Sequence, residues 1–126
     1  MSKDFTILYT IPLKGLKFST NKIYAGVHWA KRKEIKDNIE SHARVFCRPV
    51  EKFGQYPIQI CYKFFFVSRP LDTLNTSAMA KMFEDALCAF EIIKDDSYQY
   101  VAKTILEVVK IEKPKEDYLE IKISPL

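Results

Sequence analysis

The stretch Pro57 to Val67, PIQICYKFFFV, limits the possible folds of this chain more than any other. Ile58, Ile60, Tyr62, Phe64 and Phe66 fall on every second position, so an extended backbone turns all five to one face. Toward the end of the run Phe65 and Val67 make the opposite face apolar too. That is the pattern of a strand running into the middle of a sheet. The chain therefore needs further strands beside this one and a layer to cover its aromatic face.

The remaining segments supply both. Phe5 to Pro12 reads as a strand ending at a proline. From Trp29 to Phe46 the apolar residues Trp29, Ile35, Ile39, Ala43 and Phe46 recur at steps of three and four or their sums, which predicts a helix with one buried stripe. From Thr76 to Phe90 a second helix follows, with Met79, Met82, Phe83, Ala86, Leu87 and Phe90 in unbroken helical register. Lys94 to Ser97 forms a turn. Tyr100 to Ile111 and Tyr118 to Ile123 read as strands, joined by a turn at Pro114 to Asp117. In the last strand Leu119, Ile121 and Ile123 alternate with Glu120, Lys122 and Ser124. The expected order is βαβαββ, an α+β fold in a single small domain over residues 1–126, with helices packed against a mixed sheet.

Composition agrees with this and excludes several functions. A chain of 126 residues, 48% hydrophobic, fits one packed domain rather than a disordered one. Only 3 glycines are present, which argues against a glycine-rich phosphate loop. Cys47, Cys61 and Cys88 are too widely spaced for a zinc site and are expected as free thiols in a reducing compartment. No signal peptide is expected at the start, and the longest apolar run, Phe64 to Val67, is too short to cross a bilayer. A cytoplasmic location is expected. The net charge of +4, with a pI near 8.9, permits a polyanionic partner without demanding one.

Chemistry is concentrated around the second helix. Asp72 precedes it, Lys81, Glu84 and Asp85 lie on it off the apolar stripe, and Asp95 and Asp96 follow it. A strand end and the next strand start can be neighbours in one sheet, so Asp72 is expected to meet the Asp95–Asp96 pair at one edge of the core. Clustered carboxylates repel one another unless a cation sits among them. Mg²⁺, with Mn²⁺ as a substitute, suits such oxygen donors. A plainer reading stands beside this one. Asp72 can cap a turn or helix, Lys81 and Asp85 can be a solvated i,i+4 pair, and Asp95-Asp96-Ser97 can be an ordinary turn.

The segment DTLNTSAMAKMFEDALCAFEIIKDDSYQYV resembles the core signature of RusA-like Holliday junction resolvases. That signature has an acidic loop ending in asparagine, a helix with a lysine one turn before Asp-Ala-Leu, and an Asp-Asp pair opening the next strand. STNKIYAGVHWAKRKEIKD resembles the family's asparagine, aromatic and basic cluster before the first helix. The resemblance implies a homodimer that binds four-way DNA junctions and nicks them with Mg²⁺. By position it implies Lys81 as catalytic lysine, Asp72 and Asp96 as catalytic acids, and Asp72, Asp95 and Asp96 as metal ligands. Asp85 matches the helix aspartate. The first motif departs from the pattern. If Asn75 matches the motif asparagine, Leu74 replaces the second acid. If the helix is aligned without a gap, Asn75 and Ser77 fall on the acid positions. A RusA-like domain that has lost cleavage and binds DNA or protein is therefore the alternative reading. An unrelated α+β interaction domain is a third.

Lys22, Lys31, Arg32, Lys33, Lys36 and Arg69 are the candidate phosphate contacts, or a solvated helix face. Tyr24 and Trp29 are candidates for stacking on an unpaired base, although Trp29 also fits the buried stripe. His28 is a candidate acid–base group, or a surface or cap residue.

Overall fold

The computed structural model describes residues 6–13, 29–47, 56–67 and 70–126. Strand β1 (Ile7–Pro12) is followed by helix α1 (Trp29–Phe46), strand β2 (Ile58–Phe66), a 3₁₀ turn (Thr73–Thr76), helix α2 (Ser77–Ala89), and strands β3 (Val101–Lys110) and β4 (Tyr118–Pro125). This is the expected βαβαββ order. The four strands form one mixed sheet in the order β1-β4-β2-β3. β4 is antiparallel to both β1 and β2, whereas β2 and β3 run parallel. A parallel neighbour requires a crossover, and α2 supplies it.

β2 lies inside the sheet, as its two apolar faces predict. Ile58, Ile60, Tyr62, Phe64 and Phe66 are all fully buried. Leu119, Ile121 and Ile123 of β4 lie beside them in register, and Tyr9 and Ile11 of β1 complete the row. From α2, Met79, Phe83, Ala86 and Leu87 join the same core. Met79, Phe83 and Leu87, fully buried, each contribute about 1.5–3 kcal/mol. On the opposite face Phe65 stacks on Tyr118, with ring centroids 4.3 Å apart. Cross-strand stacking thus covers Phe65 where no helix does.

α1 occupies the predicted span, but its stripe differs at the end. Ile39, Ala43 and Cys47 are buried, and Phe46 is exposed. Each four-residue step overshoots a full turn by about 40°, so the buried line drifts around the helix and leaves Phe46 behind. His42 ties α1 to β1. Its Nε2 lies 2.7 Å from the Pro12 carbonyl oxygen, and its ring leans on Phe46. Arg44 places its guanidinium over the Phe90 ring at 4.9 Å, joining α1 to the end of α2. No helix among the described residues is long and apolar enough to cross a membrane.

Candidate functional site

α2 buries one flank and leaves Lys81, Glu84 and Asp85 on the other. Lys81 Nζ lies 3.0 Å from Asp85 Oδ1 and also pairs with Asp96 Oδ2 across the following turn. Lys36 of α1 approaches Asp85 Oδ2 at 3.9 Å. Three elements therefore meet at one patch of alternating charge.

The placement of Asp96 follows from how α2 ends. Glu91 N–H donates to the Cys88 carbonyl and Ile92 N–H to the Leu87 carbonyl, the paired bonds of a Schellman motif. Glu91 adopts φ 61°, the left-handed conformation that glycine usually fills. Ile92 and Ile93, both buried, then plug the chain into the core. Lys94 N–H donates to Tyr56 Oη at 2.8 Å, and Asp96 N–H to Asp95 Oδ1 at 2.8 Å. Asp95 thus holds the turn, while the Asp96 carboxylate faces Lys81.

The charges shift one another as their positions require. Hydrogen bonding to Asp96, more than any other contact, holds the Lys81 ammonium above the ordinary lysine range. The same bond holds the Asp96 carboxyl below the usual aspartate range. Beside them Glu84 has the opposite character: burial raises its carboxyl. Its Oε1 accepts a 2.7 Å hydrogen bond from the hydroxyl of fully buried Tyr62. Burial also raises the Tyr62 phenol, and neighbouring Glu84 adds to the effect. A polar pair therefore penetrates the core directly beneath the exposed cluster.

The expected metal-holding cluster of Asp72, Asp95 and Asp96 is not found among the described residues. Among the described residues no three of His, Cys, Asp and Glu gather into a group able to hold a metal ion. β2 and β3 run parallel. Phe66 lies beside Lys110 and Ile58 beside Val101, so the chain leaves β2 at one end of the sheet and enters β3 at the other. Asp72 belongs to the exit loop and is exposed, with no side-chain cap on the 3₁₀ turn that follows. Leu74 in that turn is 78% exposed. Of the expected metal ligands, Asp96 lies in the charged patch, Asp95 shapes its turn, and Asp72 is exposed in the loop before α2.

Lys31, Arg32, Lys33 and Lys36 are all exposed on α1. Lys31 pairs with Glu34 at 2.9 Å and Lys33 with Asp37 at 3.0 Å, so part of this charge is neutralised within the helix. Lys22, Tyr24, His28, Arg69 and the Trp29 side chain lie outside the described residues.

The expected metal set omitted Asp85, although it is the second carboxylate on Lys81. The Tyr62–Glu84 pair was missed entirely, yet it left a signal in the sequence. A tyrosine in a row of inward isoleucines and phenylalanines brings a hydroxyl that needs a partner. No family model matches the chain, and no curated protein matches it.

Proposed function

We propose that this chain is a RusA-like, Mg²⁺-dependent endodeoxyribonuclease that nicks four-way DNA junctions as a homodimer. The observation that carries this reading is the convergence of Asp85, from α2, and Asp96, from the following turn, on the single ammonium of Lys81. The sequence resemblance supports it, because these three residues stand at the family's lysine, helix-aspartate and Asp-Asp positions.

The donor set suits the ion. Mg²⁺ is commonly held by one or two carboxylates, with water and substrate phosphate completing its shell. Asp85 and Asp96 would hold it, with Asp95 adjacent. When bound, it supplies Lewis acidity toward a phosphate oxygen and acidifies a water molecule. The chain's own residues do the rest. Lys81 sets a positive charge beside the scissile phosphate, offsetting the charge that develops during cleavage. The exposed Lys31, Arg32, Lys33 and Lys36 of α1 offer phosphate contacts, and the approach of Lys36 to Asp85 makes that surface continuous with the patch.

The test is incubation with a labelled four-way junction and a matched linear duplex, with and without Mg²⁺. The expected result is nicking of the junction alone, with Mg²⁺ present. Asp85→Asn and Asp96→Asn should lose it while junction binding persists. Parent-like cutting by both variants would end this reading. One observation favours a second reading, a RusA-like domain that binds branched DNA or protein without cutting. Leu74, exposed at 78%, falls on an acid position of the resembled motif when Asn75 is aligned with the motif asparagine. That reading expects no heat on titration with Mg²⁺ or Mn²⁺, no cleavage by the parent chain, and cleavage gained by Leu74→Asp.

A further inference from the structure

The sheet has two edges among the described residues, and they differ in kind. β1 is six residues long and ends at Pro12, which has no N–H to offer a ladder. β3 is ten residues long and pairs with β2 along one side. Its side chains divide by register with β2. Lys103, Ile105, Glu107 and Val109 lie on the face away from the inward row, and Thr104, Leu106 and Val108 on the inward face. Ile105, Leu106, Val108 and Val109 are only half-buried. Most edge strands are short, or carry charges that repel a second strand. β3 instead carries half-buried apolar side chains on both faces, with the 3₁₀ turn as a further neighbour among the described elements.

Its charges do not oppose pairing; they select one partner and one register. Lys103 and Glu107 stand symmetrically two residues to either side of Ile105, and both are exposed. In an antiparallel pair of two β3 strands centred on Ile105, each Lys103 lies opposite the Glu107 of the second copy, on the same face. The two isoleucines meet between them. Directly opposed side chains of this kind have Cβ atoms about 4.5–5.5 Å apart, close enough for an ion pair. A shift that centres the pair on Leu106 sets Glu107 against isoleucine and Lys103 against valine, and both ion pairs are lost. The pattern is self-complementary, as a two-fold contact requires.

The geometry points to β3 as the seam of a homodimer, in which two copies pair β3 to β3 antiparallel about Ile105 and form one continuous eight-stranded sheet. The proposed function shares only the expectation of a dimer with this inference, which holds whether or not the chain cuts DNA.

Charge swapping tests it without touching the core. Sedimentation of the parent chain across a concentration series should show twice the 14.7 kDa chain mass. Lys103→Glu alone and Glu107→Lys alone each set like charges opposite one another. Each should weaken the dimer about tenfold or more, since like charges directly opposed are destabilising. An equimolar mixture of the two variants should form a heterodimer, and the double variant K103E/E107K should recover parental self-association. Circular dichroism confirms that each variant is folded. A parent chain that stays at 14.7 kDa overturns the proposal. So does a dimer unaffected by either single reversal, or one that the double swap fails to restore; its seam would lie elsewhere. Junction nicking is scored separately, so failure of the nuclease reading and failure of this seam are distinct outcomes.

Discussion

The two helices perform the same packing task, but they place their charges differently. On α1 the ion pairs of Lys31 with Glu34 and Lys33 with Asp37 close within the helix. On α2 the charged flank reaches other elements: Lys81 to the Asp96 turn, Asp85 to Lys36, and Glu84 to Tyr62 inside the sheet. Local pairs decorate a surface and contribute a few tenths of a kcal/mol each. Long-range pairs fix one element relative to another, which a reactive site requires. α2 is also the better anchored helix. It buries Ala78, Met79, Ala80, Phe83, Ala86 and Leu87, whereas α1 buries Ile39 and Ala43 among its described side chains.

The largest expected effect tests that anchoring. Phe83→Ala should destabilise the fold by about 3–5 kcal/mol, since it opens a cavity in a fully buried position. Ile35→Ala, at a half-buried position of α1, should cost less than about 2 kcal/mol. Urea midpoints of the two variants measure the difference. Equal losses would mean that the helices are anchored alike.

The next effect concerns the polar pair beneath the patch. Tyr62→Phe leaves Glu84 without its donor and should cost about 1–3 kcal/mol at pH 7. Glu84→Gln keeps an acceptor and removes a charge that burial disfavours, so its stability at pH 7 should match or exceed the parent's. The pH dependence has opposite signs at the two acids. Glu84 is raised above 4.5, so its ionisation destabilises the folded state as pH rises through the folded value, and that cost disappears below 4.5. Asp96 is lowered below 3.8, so its contribution is present above 3.8 and is lost as pH falls through the folded value. Urea midpoints from pH 7 to pH 3 should therefore lose their Glu84-linked rise in Glu84→Gln and part of the acid decline in Asp96→Asn.

The fold was largely legible in the sequence because its signals are local and periodic. The inward row of β2 and the stripe of α2 required only the two periods of 2.0 and 3.6 residues. The candidate site was only partly legible. Lys81, Asp85 and Asp96 come together because a helix flank and the turn after it are close in sequence. The relation of Asp72 to the Asp95–Asp96 pair could not be read from spacing, because the place of that pair depends on whether β3 runs parallel or antiparallel to β2. No residue near Asp72 encodes that direction; the crossover of α2 sets it. The drift of the α1 stripe away from Phe46 has the same character, since it depends on the surface the helix crosses.

A smaller effect sits at the end of α2. Glu91 holds φ 61° within the Schellman motif that aims the chain toward Asp96. A side chain with a Cβ resists that conformation, and glycine does not. Glu91→Gly should therefore stabilise the fold by about 1 kcal/mol, raising the thermal midpoint. A loss of stability instead would show that the Glu91 side chain contributes more than its backbone strain costs.

The smallest effect is the one on which the comparison depends. Lys33→Ala removes an exposed cation from a pair closed within α1, and its stability change should stay within about 0.5 kcal/mol. Lys81→Ala should also change stability little, because the ammonium is itself more than half exposed. The two variants should part only in cleavage. Under the proposed function Lys33→Ala weakens junction binding slightly and reduces its salt dependence. Lys81→Ala leaves Asp85 and Asp96 facing each other without their shared cation and should abolish nicking. Measured side by side, equal stability with unequal cleavage would separate a charge that decorates a helix from one that serves a site. Equal cleavage by the two variants would place the lysine of α2 in the same decorative class as those of α1.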